Sequence, residues 1–264
     1  MKRNTVGGLV VSALLITVPL SVANAADMPL KAPPPQPAPV YSWTGFYFGG
    51  NVGYGSDNRD VSFNGDPLDF GFGIATGLIA GRLSPSATGA LGGIQAGYNY
   101  QIGSGLIGVE ADYDFSDIRG SDTFNSSAGP FQNMAQRKIT SLGTLRARAG
   151  FLPWNPLLLY VTGGLAYGNT KLSITETFLG NCLAGAGCET ASSSGTAAGW
   201  TVGGGAEWMF TPKWSLKAEY LYVDLGNRSA TLSAPVPILL PGNFYTGSTS
   251  FRENIVRGGI NYHF

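Results

Sequence analysis

Charge is scarce in this chain. Only 12% of its 264 residues are charged, against roughly 25% in an ordinary soluble domain. Sixteen Lys and Arg balance sixteen Asp and Glu, for a formal net charge of zero. That balance argues against nucleic acid or another polyanion as partner. Histidine is nearly absent, and His263 is the only one. A Ser/His/Asp triad or a His-ligated metal therefore lacks its key group over almost the whole chain. No catalysis, metal or cofactor is expected. Cysteine is limited to Cys182 and Cys188. In an exported protein this pair reads as one small disulfide closing a loop. After residue 25 no apolar run approaches the ~18 residues of a helical membrane span, which excludes that way of crossing a bilayer.

What is present begins with an export signal. Lys2 and Arg3 precede an uncharged apolar stretch over 7–22, and Ala23-Asn24-Ala25 is a small-x-small cleavage site. Residues 1–25 read as a signal peptide cut between Ala25 and Ala26. Residues 26–42 form a spacer rich in proline, including Pro29, Pro33, Pro34, Pro35, Pro37 and Pro39. Such a segment cannot pair in a sheet and runs extended. The remaining 43–264 form one domain.

That domain carries eight segments of period-two alternation, at 43–55, 90–101, 106–118, 137–151, 157–168, 198–210, 214–225 and 251–264. In the first, Phe46, Phe48, Val52 and Tyr54 oppose Tyr47, Gly49, Asn51 and Gly53. In the last, Val256, Ile260, Tyr262 and Phe264 oppose Arg257, Asn261 and His263. Short turns at 102–105, 152–156 and 211–213 alternate with long polar connections at 56–89, 119–136, 169–197 and 226–250. This is the pattern of an all-β, eight-stranded, antiparallel up-and-down transmembrane barrel, with periplasmic turns and long surface loops. Residues 70–80 are apolar and glycine-rich, and leave open a ten-strand alternative. A soluble lipocalin-like barrel with its apolar faces inward is the rival at the level of fold. The glycine content and the aromatic last strand favour lipid outside.

With lipid outside, the lumen receives Glu110, Asp112, Asp114, Glu207 and Glu219 against Arg146, Arg148, Lys217 and Arg257. Buried charges need partners. Eight strands leave an interior just wide enough for side chains to fill it. A salt-bridged plug is the favoured reading of this set, and a charge-lined channel the alternative. Trp43, Trp154, Trp214 and Phe264, with Phe151 and Phe210, fall at strand ends and are expected in an interfacial girdle. Gly103 to Gly108 matches G-x-G-x-x-G, but a strand follows it where a nucleotide site needs a helix, so it reads as a hairpin turn.

The opening Tyr41-Ser42-Trp43-Thr44-Gly45-Phe46-Tyr47-Phe48-Gly49-Gly50, the run from Gly92 to Gln101 and the close from Val256 to Phe264 resemble the small RopB-like outer-membrane proteins of alphaproteobacteria. The resemblance implies an OmpA-like barrel in the outer membrane of a Gram-negative bacterium. It implies contact with outer-membrane lipid and lipopolysaccharide. It also implies that Val256, Ile260, Tyr262 and Phe264 are read by the barrel-assembly machinery. Family members are surface antigens that support the envelope and meet peptidoglycan-side or host partners. Some are described as porin-like or hemin-binding. In the predicted loops, Tyr245 and Met134 are the residues with iron-ligating chemistry.

Overall fold

The computed structural model describes residues 41–178, 188–233 and 244–264. The signal peptide with Ala25 and Ala26, the spacer up to residue 40, and Cys182 lie outside the described residues. The elements are β1 (Gly45–Asp57), β2 (Val61–Gly65), α1 (Asp69–Ala75), β3 (Arg82–Leu83), β4 (Ala87–Ile102), β5 (Gly105–Asn125), β6 (Phe131–Trp154), β7 (Leu157–Phe178), β8 (Cys188–Thr211), β9 (Trp214–Ser233) and β10 (Phe244–His263).

The strands pair antiparallel in the order β1-β4-β5-β6-β7-β8-β9-β10, with β2 and β3 following on β10, and β1 pairs with β10, so the sheet closes on itself. Ten strands make only eight walls. The pairing of Tyr47 with His263 on β1 and β10 continues without slip into Gly65 and Tyr245 on β2 and β10. Likewise Gly45 opposite Asn99 continues into Val61 opposite Leu83. β1 and β2 are thus two halves of one strand, and β3 and β4 two halves of its neighbour. The gap has local causes. The Asp57 carboxylate accepts the Arg59 N–H at 2.9 Å, an Asx turn that bends the chain. Pro85, in the facing gap, has no N–H for a ladder. Arg137 bridges the break, donating to the Asp57 carboxylate, the Arg59 carbonyl (3.0 Å) and the Ser250 carbonyl (2.9 Å). Residues 70–80 add no strand to the wall: α1 and its following turn cap the first hairpin.

Three two-residue turns, at 103–104, 155–156 and 212–213, close the short end. On the long side the strands run well past their expected ends. β6 begins at Phe131, not 137, and β7 continues to Phe178, not 168. The reason lies in a reversal of chemistry along each strand. On β7 the outward positions change from Leu159, Val161, Leu165 and Tyr167 to Asn169, Lys171, Ser173 and Thr175. The inward positions change from Thr162 and Gly164 to Leu172 and Ile174, which are fully buried. On β7 the phase never slips; only the side that carries the apolar residues does, whereas on β6 and β9 a bulge also shifts the inward parity, from Leu142 to Ile139 and from Leu225 to Ala230. Below, the barrel is apolar outside, as lipid demands. Above, it is apolar inside, like a soluble sheet. There Val61, Phe63, Leu83, Leu172, Ile174, Leu232 and Tyr245 form a core of their own. Each fully buried Val, Leu or Phe in it is worth about 1.5–3 kcal/mol, enough to keep the hairpins paired beyond the bilayer.

The lipid-facing band includes Phe46, Phe48, Val52, Val109, Phe115, Val161, Trp200, Val256 and Ile260, all exposed. Trp154, Trp214, Phe151, Phe210 and Phe264 are also exposed, at the turn end of that band. Trp43 is a correction to the expected girdle. It is 1% exposed, packs with Leu106, Leu152, Leu158, Tyr160 and Met209, and donates its indole N–H to the Asn155 carbonyl at 2.9 Å. It precedes β1, so it follows no strand alternation and turns in to close the barrel floor.

Candidate functional site

The interior is stacked in layers. Its floor is the Trp43 cluster. Above it, Glu110, Asp112, Asp114, Glu207 and Glu219 meet Arg146, Arg148, Lys217 and Arg257, all nine buried. Strand alternation puts them on one face: Glu110, Asp112 and Asp114 at two-residue steps on β5, Arg146 and Arg148 on β6, Lys217 and Glu219 on β9.

Arg146 reaches Glu110, Asp112 (2.8 Å) and Glu219 (2.9 Å). Arg148 reaches Glu207 (2.7 Å) and Glu110 (3.2 Å). The Lys217 ammonium sits 2.9 Å from Glu110. Arg257 reaches Asp112 (2.7 Å), Asp114 (3.1 Å) and Glu219 (2.7 Å).

Neutral side chains extend the network to every wall. The Tyr47 hydroxyl on β1 donates to Glu110 (2.7 Å), and that of Tyr160 on β7 to Glu219 (2.9 Å). Gln95 on β4 donates to Asn261 (2.6 Å), which donates to Glu207 (2.6 Å). The Arg148 guanidinium carbon sits over the Tyr160 ring, 4.1 Å from its centroid. Sequence reasoning assigned Tyr47, Tyr160, Gln95 and Asn261 no role. Their parity was the available signal, because each lies on the inward face of its strand.

One corner resembles a catalytic group. The Ser215 hydroxyl lies 3.0 Å from His263 Nε2 and donates to Glu207 at 2.6 Å. Glu207 also stands 3.6 Å from the same Nε2. A triad needs the acid on the other ring nitrogen, to orient the base. Here both partners crowd one nitrogen, and the ring is buried, T-shaped against Trp43 with ring centroids 5.6 Å apart. The corner is a structural tie between β8, β9 and β10.

Above the charged layer lies a second apolar one: Leu91, Ile118, Ile139, Leu142, Leu221, Val223, Phe251 and Ile255. Next comes the Asp57–Arg137 ion pair, with Arg137 4.8 Å over the Phe251 ring. The core of the paired hairpins caps the stack.

On the last strand, Val256, Ile260 and Phe264 face outward, and Tyr262 packs edge-on against Trp214 (5.1 Å) and Phe264 (5.2 Å). Cys188 is disulfide-bonded. Tyr245 is buried between Phe63 and Phe70, away from any ligand at the surface. Met134 is half-buried, beside the Gln136 amide (3.2 Å).

Comparison with known proteins agrees with this architecture. A family model described as "Outer membrane protein beta-barrel domain" matches residues 12–264. The chain is 37% identical to the 31 kDa outer-membrane immunogenic protein of Brucella melitensis biotype 1, over 92% of this chain and 93% of that one. It is 32% identical to the 22 kDa outer membrane protein of Rhizobium leguminosarum bv. viciae, over 86% and 80% of the two chains. It is 28% identical to the 25 kDa outer-membrane immunogenic protein of Brucella abortus biovar 1, over 97% of both.

Proposed function

The chain belongs to the outer-membrane β-barrel family and resides in the outer membrane, and we propose that it serves there as a sealed, non-catalytic anchor holding four paired hairpins at the cell surface. The observation that carries this reading is the layered lumen. An ion crossing the barrel has to pass the Leu91–Ile118–Leu221–Phe251 layer and the Trp43–Leu158–Met209 floor, both apolar and closely packed. Taking a charge out of water into such surroundings costs several kcal/mol even after relaxation. Between the two, each lumen base already holds a carboxylate. A salt network of this kind contributes less to net stability than to fixing which strands meet. It ties all eight walls into one register and so supports a stiff barrel in the envelope.

The hairpins are the part offered to the outside. The Brucella relatives are named immunogenic, and we carry surface display across to this chain on that ground. A hemin site would have to be built without Tyr245, which is buried, and we do not assign one. Planar-bilayer recording on folded protein tests the central claim. No conductance steps are expected across a range of voltages. Reproducible steps would establish the porin-like alternative instead.

A further inference from the structure

We propose that the outer wall carries a built site for one phosphorylated glycolipid of the outer leaflet, formed by Arg119, Lys138 and Lys171 above a groove on β4 to β7. This rests on the reading that the long hairpins face outward. Arg119 on β5 is the cross-strand partner of Lys138 on β6, and Lys138 is the partner of Lys171 on β7. The three cations therefore form one row on adjacent strands, about 4.8 Å apart strand to strand. All are on the outward face, Arg119 and Lys171 exposed and Lys138 half-buried. Thr88 and Ser194 continue the row on β4 and β8 and add no charge.

Like charges directly opposite one another on a sheet are unfavourable, and this row has little to offset them. Asp117 pairs with Arg119 at 3.1 Å. Among the described residues no carboxylate pairs with Lys138 or Lys171. Such a row is stabilised by an external anion.

Height identifies the anion. Lys171 lies four residues beyond Tyr167, and Arg119 four beyond Phe115, both exposed aromatics of the lipid band. Four residues on a strand tilted about 40° rise roughly 10 Å. That is headgroup level, just outside the hydrocarbon.

A second observation lies further down the same strands, beginning four residues below the row at Tyr167 on β7 and six below it at Tyr113 on β5. A groove of about 440 Å³ opens on the lipid side, lined by Ile94, Ala96, Ala111, Tyr113, Leu145 and Tyr167. It exists because Ala96 and Ala111 are small and face each other across β4 and β5, while Tyr113 and Tyr167 wall its upper end. An acyl chain fits the groove, and phosphate fits the row above it. One amphiphile with phosphate on a sugar headgroup and several acyl chains satisfies both, and the bis-phosphorylated glucosamine class does so with two phosphates.

The experiment uses folded full-length mature protein in neutral phospholipid nanodiscs. Binding of bis-phosphorylated lipid A is compared with that of its dephosphorylated form and of inorganic phosphate. The row is removed in the variant Arg119→Gln/Lys138→Gln/Lys171→Gln, with Lys213→Gln at the opposite rim as control. Wild type and Lys213→Gln are expected to retain lipid A, and the triple variant to bind it about tenfold more weakly. Dephosphorylated lipid is expected to match that weak value, and inorganic phosphate to compete poorly. If the triple variant does not assemble, Lys138→Gln alone should show a loss of about threefold. Equal retention by wild type and variant overturns the site. An epitope inserted at 127–128 and probed on intact cells separates the two readings. A hidden epitope sinks the outward orientation, whereas an accessible one with unchanged lipid binding sinks this site alone.

Discussion

Arg257 and Glu219 stand opposite each other in the β9–β10 ladder, and the Arg257 Nε donates to the Glu219 carboxylate across 2.7 Å. The same guanidinium reaches Asp112 and Asp114 on the far wall, at 2.7 and 3.1 Å. One side chain on the closing strand thus answers acids on both sides of the lumen. Arg257→Met should leave those carboxylates buried and short of a partner. A loss of about 3–5 kcal/mol is expected, read as a lower urea midpoint in lipid vesicles and weaker heat-modifiable migration. An unchanged midpoint would show that the network does not hold the closure.

Closure also depends on a missing side chain. Gly49 on β1 faces the β10 backbone, and a methyl group there would collide with the Ile260 carbonyl and the Asn261 side chain. The contact is to backbone, which has no rotamer to turn away. Gly49→Ala should therefore slow or weaken the β1–β10 seam by about 1–3 kcal/mol. Gly71→Ala, where an added methyl meets nothing within 4 Å, is the matched control. Refolding into vesicles followed by gel shift reads the difference, and equal refolding of both variants would count against the seam as the sensitive step.

The hairpin region carries a pH dependence of its own. Glu176 lies nine residues beyond Tyr167, above the lipid band. It is buried, accepts a hydrogen bond from Asn133, and is the cross-strand partner of Glu189. Burial pushes its carboxyl up to about 7, with Glu189 adding to the rise and the Asn133 hydrogen bond opposing it. Its unfolded value is about 4.3. Between the two the folded protein keeps a proton that the unfolded chain releases, so stability falls as pH rises through that window. Above about 7 the full penalty applies, up to roughly 4 kcal/mol. Glu176→Gln keeps an acceptor for Asn133 and removes the ionisation. It should slow amide exchange around Leu172 and Ile174 at pH 8 and change nothing at pH 4. Equal protection of wild type and variant at pH 8 would refute the linkage.

Much of this was legible in the chain itself. Lipid-band alternation marked all eight walls, because lipid outside and polar lumen inside give the strongest contrast a strand can carry. The nine lumen charges followed from parity alone. The hairpin extensions did not. From Asn169 to Thr177 on β7 the apolar residues change sides while the polar outward face reads as loop, so the alternation looks broken where only its sign has flipped. Trp43 misled for a different reason. An aromatic just before a strand has no parity, and nothing in the sequence tells a girdle residue from one folded in over the floor. Arg137 and Asp57 were hidden by distance: 80 residues separate them, and only the break between β1 and β2 gives their pairing a purpose.

The reversal along the strands also sets where this protein is free to change. Above Tyr167, outward positions such as Ser173, Thr175 and Gln136 lie outside the core, with only solvent-exposed side-chain contacts such as Thr175 to Thr190 and Gln136 to Met134, and substitutions there should cost within about 0.5 kcal/mol. Their inward neighbours Leu172, Ile174 and Ala135 are sealed in a core, where a single truncation of Leu or Ile costs about 2–5 kcal/mol. On the proposed outward orientation, the surface these hairpins offer is thus built from every second residue of a paired sheet. Under that proposal the pattern shown outside tolerates substitution, while the hidden half of the same strands holds the shape.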